Sequence, residues 1–166
     1  MFLFISGNET TRHVIANMPW TTANNPDLFE RLRADRDLVA PALQESLRRD
    51  PPIRFLLRHC MADLDLREQE SRRGDKVAFG LLPANRDETV FEDPHTFRLD
   101  RPDPRRHVAF GDGPHVCPGS SLARLEGRVA LATFADRVGR VRPPSRVSTT
   151  RSPYRGRTDP GRCGSS

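Results

Sequence analysis

Residues 110–119 read F-G-D-G-P-H-V-C-P-G, and no other stretch constrains the fold of this chain as tightly. Gly111, Gly113 and Gly119 make it a turn-rich loop whose backbone can approach a flat ligand closely. Cys117 is followed at once by Pro118, Gly119 and an apolar-periodic stretch, which places its sulfur at a helix N-terminus. Unpaired N–H groups and the positive end of the helix dipole stabilise a thiolate there. The arrangement suits one sulfur beneath a metal. Read alone, a free cysteine in a glycine turn remains the other reading.

The chain has 166 residues, 36% hydrophobic and 30% charged, the size of one domain with a core. No apolar run reaches a membrane span, and Met1–Ile5 lacks a basic flank and a cleavage site. Cys60, Cys117 and Cys163 form no C-x-x-C pair and no disulfide framework, so a reducing, cytoplasmic setting is expected. The net charge of +5 hides an asymmetry: residues 137–166 hold eight Arg against one acid. The remainder sums to −2, so basicity belongs to the tail and a nucleic-acid face is not expected.

Apolar spacing predicts a helix over Met1–Asn17, entered without a cap. Asn25-Pro26 places a capping residue before a proline at the first helical position and, with Leu28, Phe29 and Leu32 following, predicts a second, short helix. A third spans about Leu38 to Arg49 and stops at Asp50-Pro51-Pro52, since neither proline offers an N–H. Residues 53–82 read as short strands and turns, Lys76–Leu82 being the best strand after a Gly74-Asp75 turn. Residues 83–116 show little periodicity, and a stretch so long is usually functional. Leu122, Leu125 and Val129 recur at helical spacing and predict a helix from Pro118 to about Val138. Beyond Gly139 the composition turns to Arg, Ser, Pro and Thr, giving an irregular tail over 141–166 and one structured unit over 1–140.

Two further patterns carry chemistry. Glu45 and Arg48 stand three apart on the third helix, share a face and can pair. The first helix contains I-S-G-N-E-T-T, with Gly7, Glu9 and Thr10 close together. Two patterns fail: G-x-G at 111–113 has Val116 where a dinucleotide fingerprint needs its third glycine. His115 and Cys117 have no second pair at zinc spacing.

In this order, the 5–11 segment, the E-x-x-R pair and the decapeptide around Cys117 resemble the cytochrome P450 family, bacterial type. The resemblance covers residues 1 to about 140. It implies a mainly α fold with a small β element, the C-terminal half or less of the P450 fold. It further implies haem b bound through Cys117, a thiolate ligand that favours O–O cleavage. On this basis Phe110, Gly111 and Gly119 shape the sulfur loop, and Arg58 and His115 partner the propionates. Arg101 completes a structural network with Glu45 and Arg48, while Gly7, Glu9 and Thr10 form the oxygen-side groove and proton relay. The implied function is a monooxygenase inserting one oxygen atom into an apolar small molecule, with a ferredoxin or flavoprotein as electron donor. A truncated, inactive haem-binding remnant is the alternative, and a peroxide-using haem-thiolate protein a further one. His13, His59, His95 and His107 read as surface or packing residues. Arg67–Arg73 and 141–166 depart from the family's pattern.

Overall fold

The computed structural model describes residues 2–67 and 69–142. Helix α1 covers Phe2–Ala23 and continues through Pro19, past the expected end at Asn17. Pro19 removes one ladder bond. Side chains repair the region: Thr22, fully buried, donates to the Met18 and Pro19 carbonyls, each at 3.0 Å. Asn24 and Asn25 donate to the Trp20 and Thr21 carbonyls at 2.8 and 2.7 Å. Asn25 thus closes α1 with its side chain and opens α2 (Pro26–Ala34) with its backbone carbonyl alone, a correction to its expected capping role. The inner face of α2 buries Leu28, Phe29 and Leu32.

A 3-10 turn at Arg36–Leu38, capped by the Asp35 carboxylate, leads into α3 (Val39–Arg49), which ends at Asp50 before the two prolines. Helix α3 is buried along its whole middle, charged residues included, because other elements pack on it from several sides. Strands β1 (Phe55–His59) and β4 (Lys76–Gly80) pair antiparallel, Arg58 opposite Val77. Between them β2 (Leu64–Leu66) and β3 (Gln69–Ser71) form a second antiparallel pair. The strand expected over Lys76–Leu82 stops at Gly80, because Leu81 begins a one-turn helix, α4 (Leu81–Ala84).

Helix α5 (Ser120–Arg137) starts two residues after the expected Pro118. Its periodic stripe identifies a helix but is not its buried face. Leu122, Leu125 and Val129 are 56–59% exposed, whereas Gly127, Leu131 and Ala135 point inward. Gly127 sits where α1, α3 and α5 cross: a Cβ there would lie 2.9 Å from Leu43 Cδ1 and 3.4 Å from Val14 Cγ1. One core cluster joins Met18, Leu28, Leu32, Val39, Ala42 and Leu131. A second joins Val14, Leu43 and Leu47, with Ala109 and Phe110 packed against it. The second cluster ties the cysteine loop to the helices. The tail beyond Arg142 lies outside the described residues.

Candidate functional site

Backbone bonds set the sulfur loop. Gly111 N–H donates to the Val108 carbonyl at 2.9 Å, and Asp112 accepts from Gly113 N–H at 2.8 Å. Gly111 and Gly113 take φ of +72° and +67°, left-handed values that cost a side-chain-bearing residue energy. The chain then turns through Gly113–His115, and Cys117 N–H donates back to the Phe110 carbonyl at 2.9 Å. Cys117 is a free, partly exposed thiol three residues before α5, and its carbonyl accepts Ser120 N–H at 3.2 Å. A Cβ on Gly119 would stand 3.9 Å from Cys117 Sγ, so Gly119 lies directly beside the sulfur. Phe110 is half-buried, with the Arg124 guanidinium 4.3 Å from its ring centre. Burial, and then Arg105, pull Arg124 below its usual pKa, while Cys117 pulls it up.

The irregular stretch before the loop is held by charge. Glu45 and Arg48 form a two-pronged pair at 2.7 and 2.8 Å, and Arg101 Nε reaches the same carboxylate at 2.9 Å. Arg48 also donates to the carbonyls of Asn85 and Pro94, and Arg101 to those of Glu92, Asp93 and Thr96. All three charged residues are buried. Sequence spacing reveals the Glu45–Arg48 pair, but no local pattern marks the loop carbonyls that surround it.

Two interactions went unrecognised in the sequence. His107 is buried, with Nε2 3.0 Å from Gln44 Oε1, so among the four packing-or-surface histidines it alone is bonded into the core. Asn85, fully buried, accepts Val108 N–H at 2.8 Å. Gln44 and His107 stand 63 residues apart, and the burial of α3 around Gln44 is visible only in the structure.

The remaining expected residues are not gathered by bonds. Arg58 lies on β1 and donates to the Leu57 carbonyl, while His115 is exposed in the loop. Gly7 and Glu9 are exposed on α1, and a Cβ on Gly7 would meet nothing within 4 Å. Thr10 donates its hydroxyl proton to the Ser6 carbonyl at 2.6 Å, as helix-interior threonines do. Val14, one turn on, packs in the cluster that Phe110 joins, so Thr10 shares the helix face turned toward the loop.

The cytochrome P450 family model matches residues 1–137. The chain belongs to the cytochrome P450 family. A steroid C26-monooxygenase of Mycolicibacterium smegmatis is 39% identical over 89% of the chain and 36% of its own length. Cytochrome P450(MEG) of Priestia megaterium is 38% identical, covering 81% and 33%. Among solved structures, CYP109E1 from Bacillus megaterium in complex with testosterone superposes with a TM-score of 0.82 at 35% identity, covering 90% and 42%. The chain spans about a third of the length of the curated relatives it matches. The partial P450 fold, mainly α with small antiparallel sheets, is therefore the fold of this chain.

The residues present fit the family's haem. Among the described residues no three His, Cys, Asp or Glu side chains cluster to hold a metal ion. A lone, partly exposed sulfur suits a metal whose other ligands come from a macrocycle. Exposed Val116 and Leu122 on either side of Cys117 offer apolar surface of the kind such a ring covers.

Proposed function

We propose that this chain is the haem-binding C-terminal part, residues 1–140, of a haem-thiolate monooxygenase, with 141–166 an irregular tail. The observation that carries the reading is the free Cys117 in a loop tied by Phe110 to the helical core and fronted by α5. Cys117 would hold the iron of haem b through Sγ, and Arg58 and His115 would partner its propionates. When bound, haem supplies oxygen activation, assisted by electron release from the thiolate.

The protein's own residues hold and exclude. Phe110 packs its ring between the core cluster and the Arg124 guanidinium, keeping water from one side of the loop. Gly119, having no side chain, leaves the sulfur open on its flank. Thr10 commits its own proton to Ser6, so Oγ1 presents lone pairs that would accept from a further donor. Glu9, exposed beside it, would exchange that donor's proton with solvent. Gly7, with open space where a Cβ would stand, would let a ligand approach the α1 backbone.

The substrate class is an apolar organic molecule, supported by a relative named a steroid C26-monooxygenase and a neighbour solved with testosterone. Electrons would come from a ferredoxin or flavoprotein. A cytoplasmic setting accords with the unpaired cysteines. Among the described residues no helix is long and apolar enough to cross a membrane.

With haem supplied in excess, the ferrous carbon monoxide complex of the chain should show the red-shifted Soret band of a thiolate ligand. Cys117→Ser should abolish it and Cys60→Ser should leave it. An unchanged band in Cys117→Ser would falsify the assignment.

A further inference from the structure

The segment that feeds the sulfur loop enters it through a histidine whose two ring nitrogens are both engaged. His107 Nδ1 lies 3.2 Å from the Ala109 amide nitrogen. A backbone N–H can only donate, so Nδ1 is the acceptor and the ring proton sits on Nε2. That proton is directed at Gln44 Oε1, 3.0 Å away, which fixes the orientation of the Gln44 amide as well. The ring centre lies 6.1 Å from that of Phe110. Phe110 in turn receives the Cys117 N–H. Alongside, Val108 N–H is held by Asn85, whose carbonyl accepts from Arg48. Residue 107 is thus anchored to α3 directly, 108 through Asn85 and 109 through His107.

We propose that His107, protonated on Nε2 alone, is a positioning residue for Cys117: by joining Gln44 to the Ala109 amide it sets Phe110, and through the Phe110–Cys117 backbone bond the place of the sulfur. The purpose of the latch rests on the haem-thiolate reading. Protonating Nδ1 would set donor against donor at Ala109 and open it. The groups facing the ring from α5 and α3 are Arg124, Arg48 and Glu45. Burial, and then Arg124, push the His107 pKa down to about 4; Arg48 acts the same way and Glu45 opposes. The latch is therefore closed at neutral pH. A histidine that merely fills space would stabilise the whole unit without a special hold on Ala109 and Cys117.

Amide hydrogen exchange of the full 166-residue chain without haem, followed by NMR and corrected for intrinsic rates, separates the two roles. His107→Phe should cost the Ala109 and Cys117 amides at least about tenfold in protection while Leu43 and Leu47 in α3 keep theirs. His107→Asn places an oxygen near Nδ1 and should restore Ala109, and Gln44→Leu should loosen the same two amides without touching the histidine. In the parent chain the two protections should fall ahead of α3 as pH drops from 7 toward 4, and in His107→Asn they should not. Loss in step with α3, or an unmoved Cys117 amide in both His107→Phe and Gln44→Leu, overturns the proposal. With excess haem, a parent thiolate band that is unaltered in His107→Phe also overturns it. No thiolate band in the parent sinks the haem reading, and with it the latch's purpose, while the exchange data still report whether the latch exists.

Discussion

Glu45 takes two hydrogen bonds on each carboxylate oxygen: Arg48 Nη2 and Arg98 N–H on Oε1, Arg48 Nε and Arg101 Nε on Oε2. Its acceptor capacity is filled. Two guanidiniums against one carboxylate leave a surplus positive charge inside, and the loop carbonyls of Asn85, Glu92, Asp93, Pro94 and Thr96 offset it. Such a cluster fixes one geometry rather than adding much stability, but removing Arg48 leaves buried acceptors unmet: Glu45 keeps Arg101 yet loses two donors, and the Asn85 and Pro94 carbonyls lose theirs. Arg48→Ala should therefore lower unfolding free energy by about 3–5 kcal/mol in urea titration. Arg48→Lys should come close to that loss, because an ammonium cannot reproduce the planar fork; a loss under about 1 kcal/mol would contradict the argument. His107 adds a pH dependence of known sign. Its folded pKa, near 4, lies below the unfolded value of 6.5, so between them the unfolded chain binds the extra proton. Its contribution is full above pH 6.5 and is lost as pH falls toward 4, by up to about 3 kcal/mol. Urea midpoints measured from pH 7 to 4 should flatten in His107→Asn, and equal slopes would contradict the shift.

At the level of elements, two glycines on helices have opposite reasons to be there. Gly127 admits Leu43, whose methyls would lie 2.9 and 3.1 Å from a new Cβ and which, fully buried, has nowhere to move. Overpacking of about 1–3 kcal/mol outweighs the gain in helix propensity of about 1 kcal/mol, so Gly127→Ala should lower the melting temperature. Gly7 faces open space, so Gly7→Ala should raise helix stability by up to about 1 kcal/mol. Unchanged or reversed signs in paired melts would undo the distinction. The same elements show what a sequence discloses. Proline and its neighbours wrote the ends of α2 and α3 plainly, because those signals are local. The i, i+3 pair of Glu45 and Arg48 was legible for the same reason. Arg101 came only from family resemblance, and the Gln44–His107 bond, 63 residues apart, carries no local mark at all. The stripe of α5 gave the right helix but lies outward, since periodicity reports that a side is apolar but not what covers it.

Over the whole molecule, that uncovered stripe sets what the chain can do by itself. Leu122, Leu125 and Val129 lie open along α5, and Phe55 and Leu57, 60% and 58% exposed, lie open on one face of β1. Apolar side chains left open along a helix and a strand mark an interface, and the family relatives carry about twice as much further chain with which to form one. Haem binding gains affinity only where protein closes over the ring, and free apolar faces compete for it by self-association. We therefore expect the 166-residue chain to hold haem loosely, losing it on desalting, and to show no coupled substrate oxidation with a supplied redox partner. Leu122→Glu with Leu125→Glu should shift the chain toward monomer in sedimentation while leaving the helical circular dichroism unchanged, because neither residue touches the buried face of α5. Two observations would count against this: unaltered sedimentation in the double variant, which would show that the stripe drives no association, and stoichiometric haem retained through desalting with coupled turnover, which would show that residues 1–140 close the site without further cover.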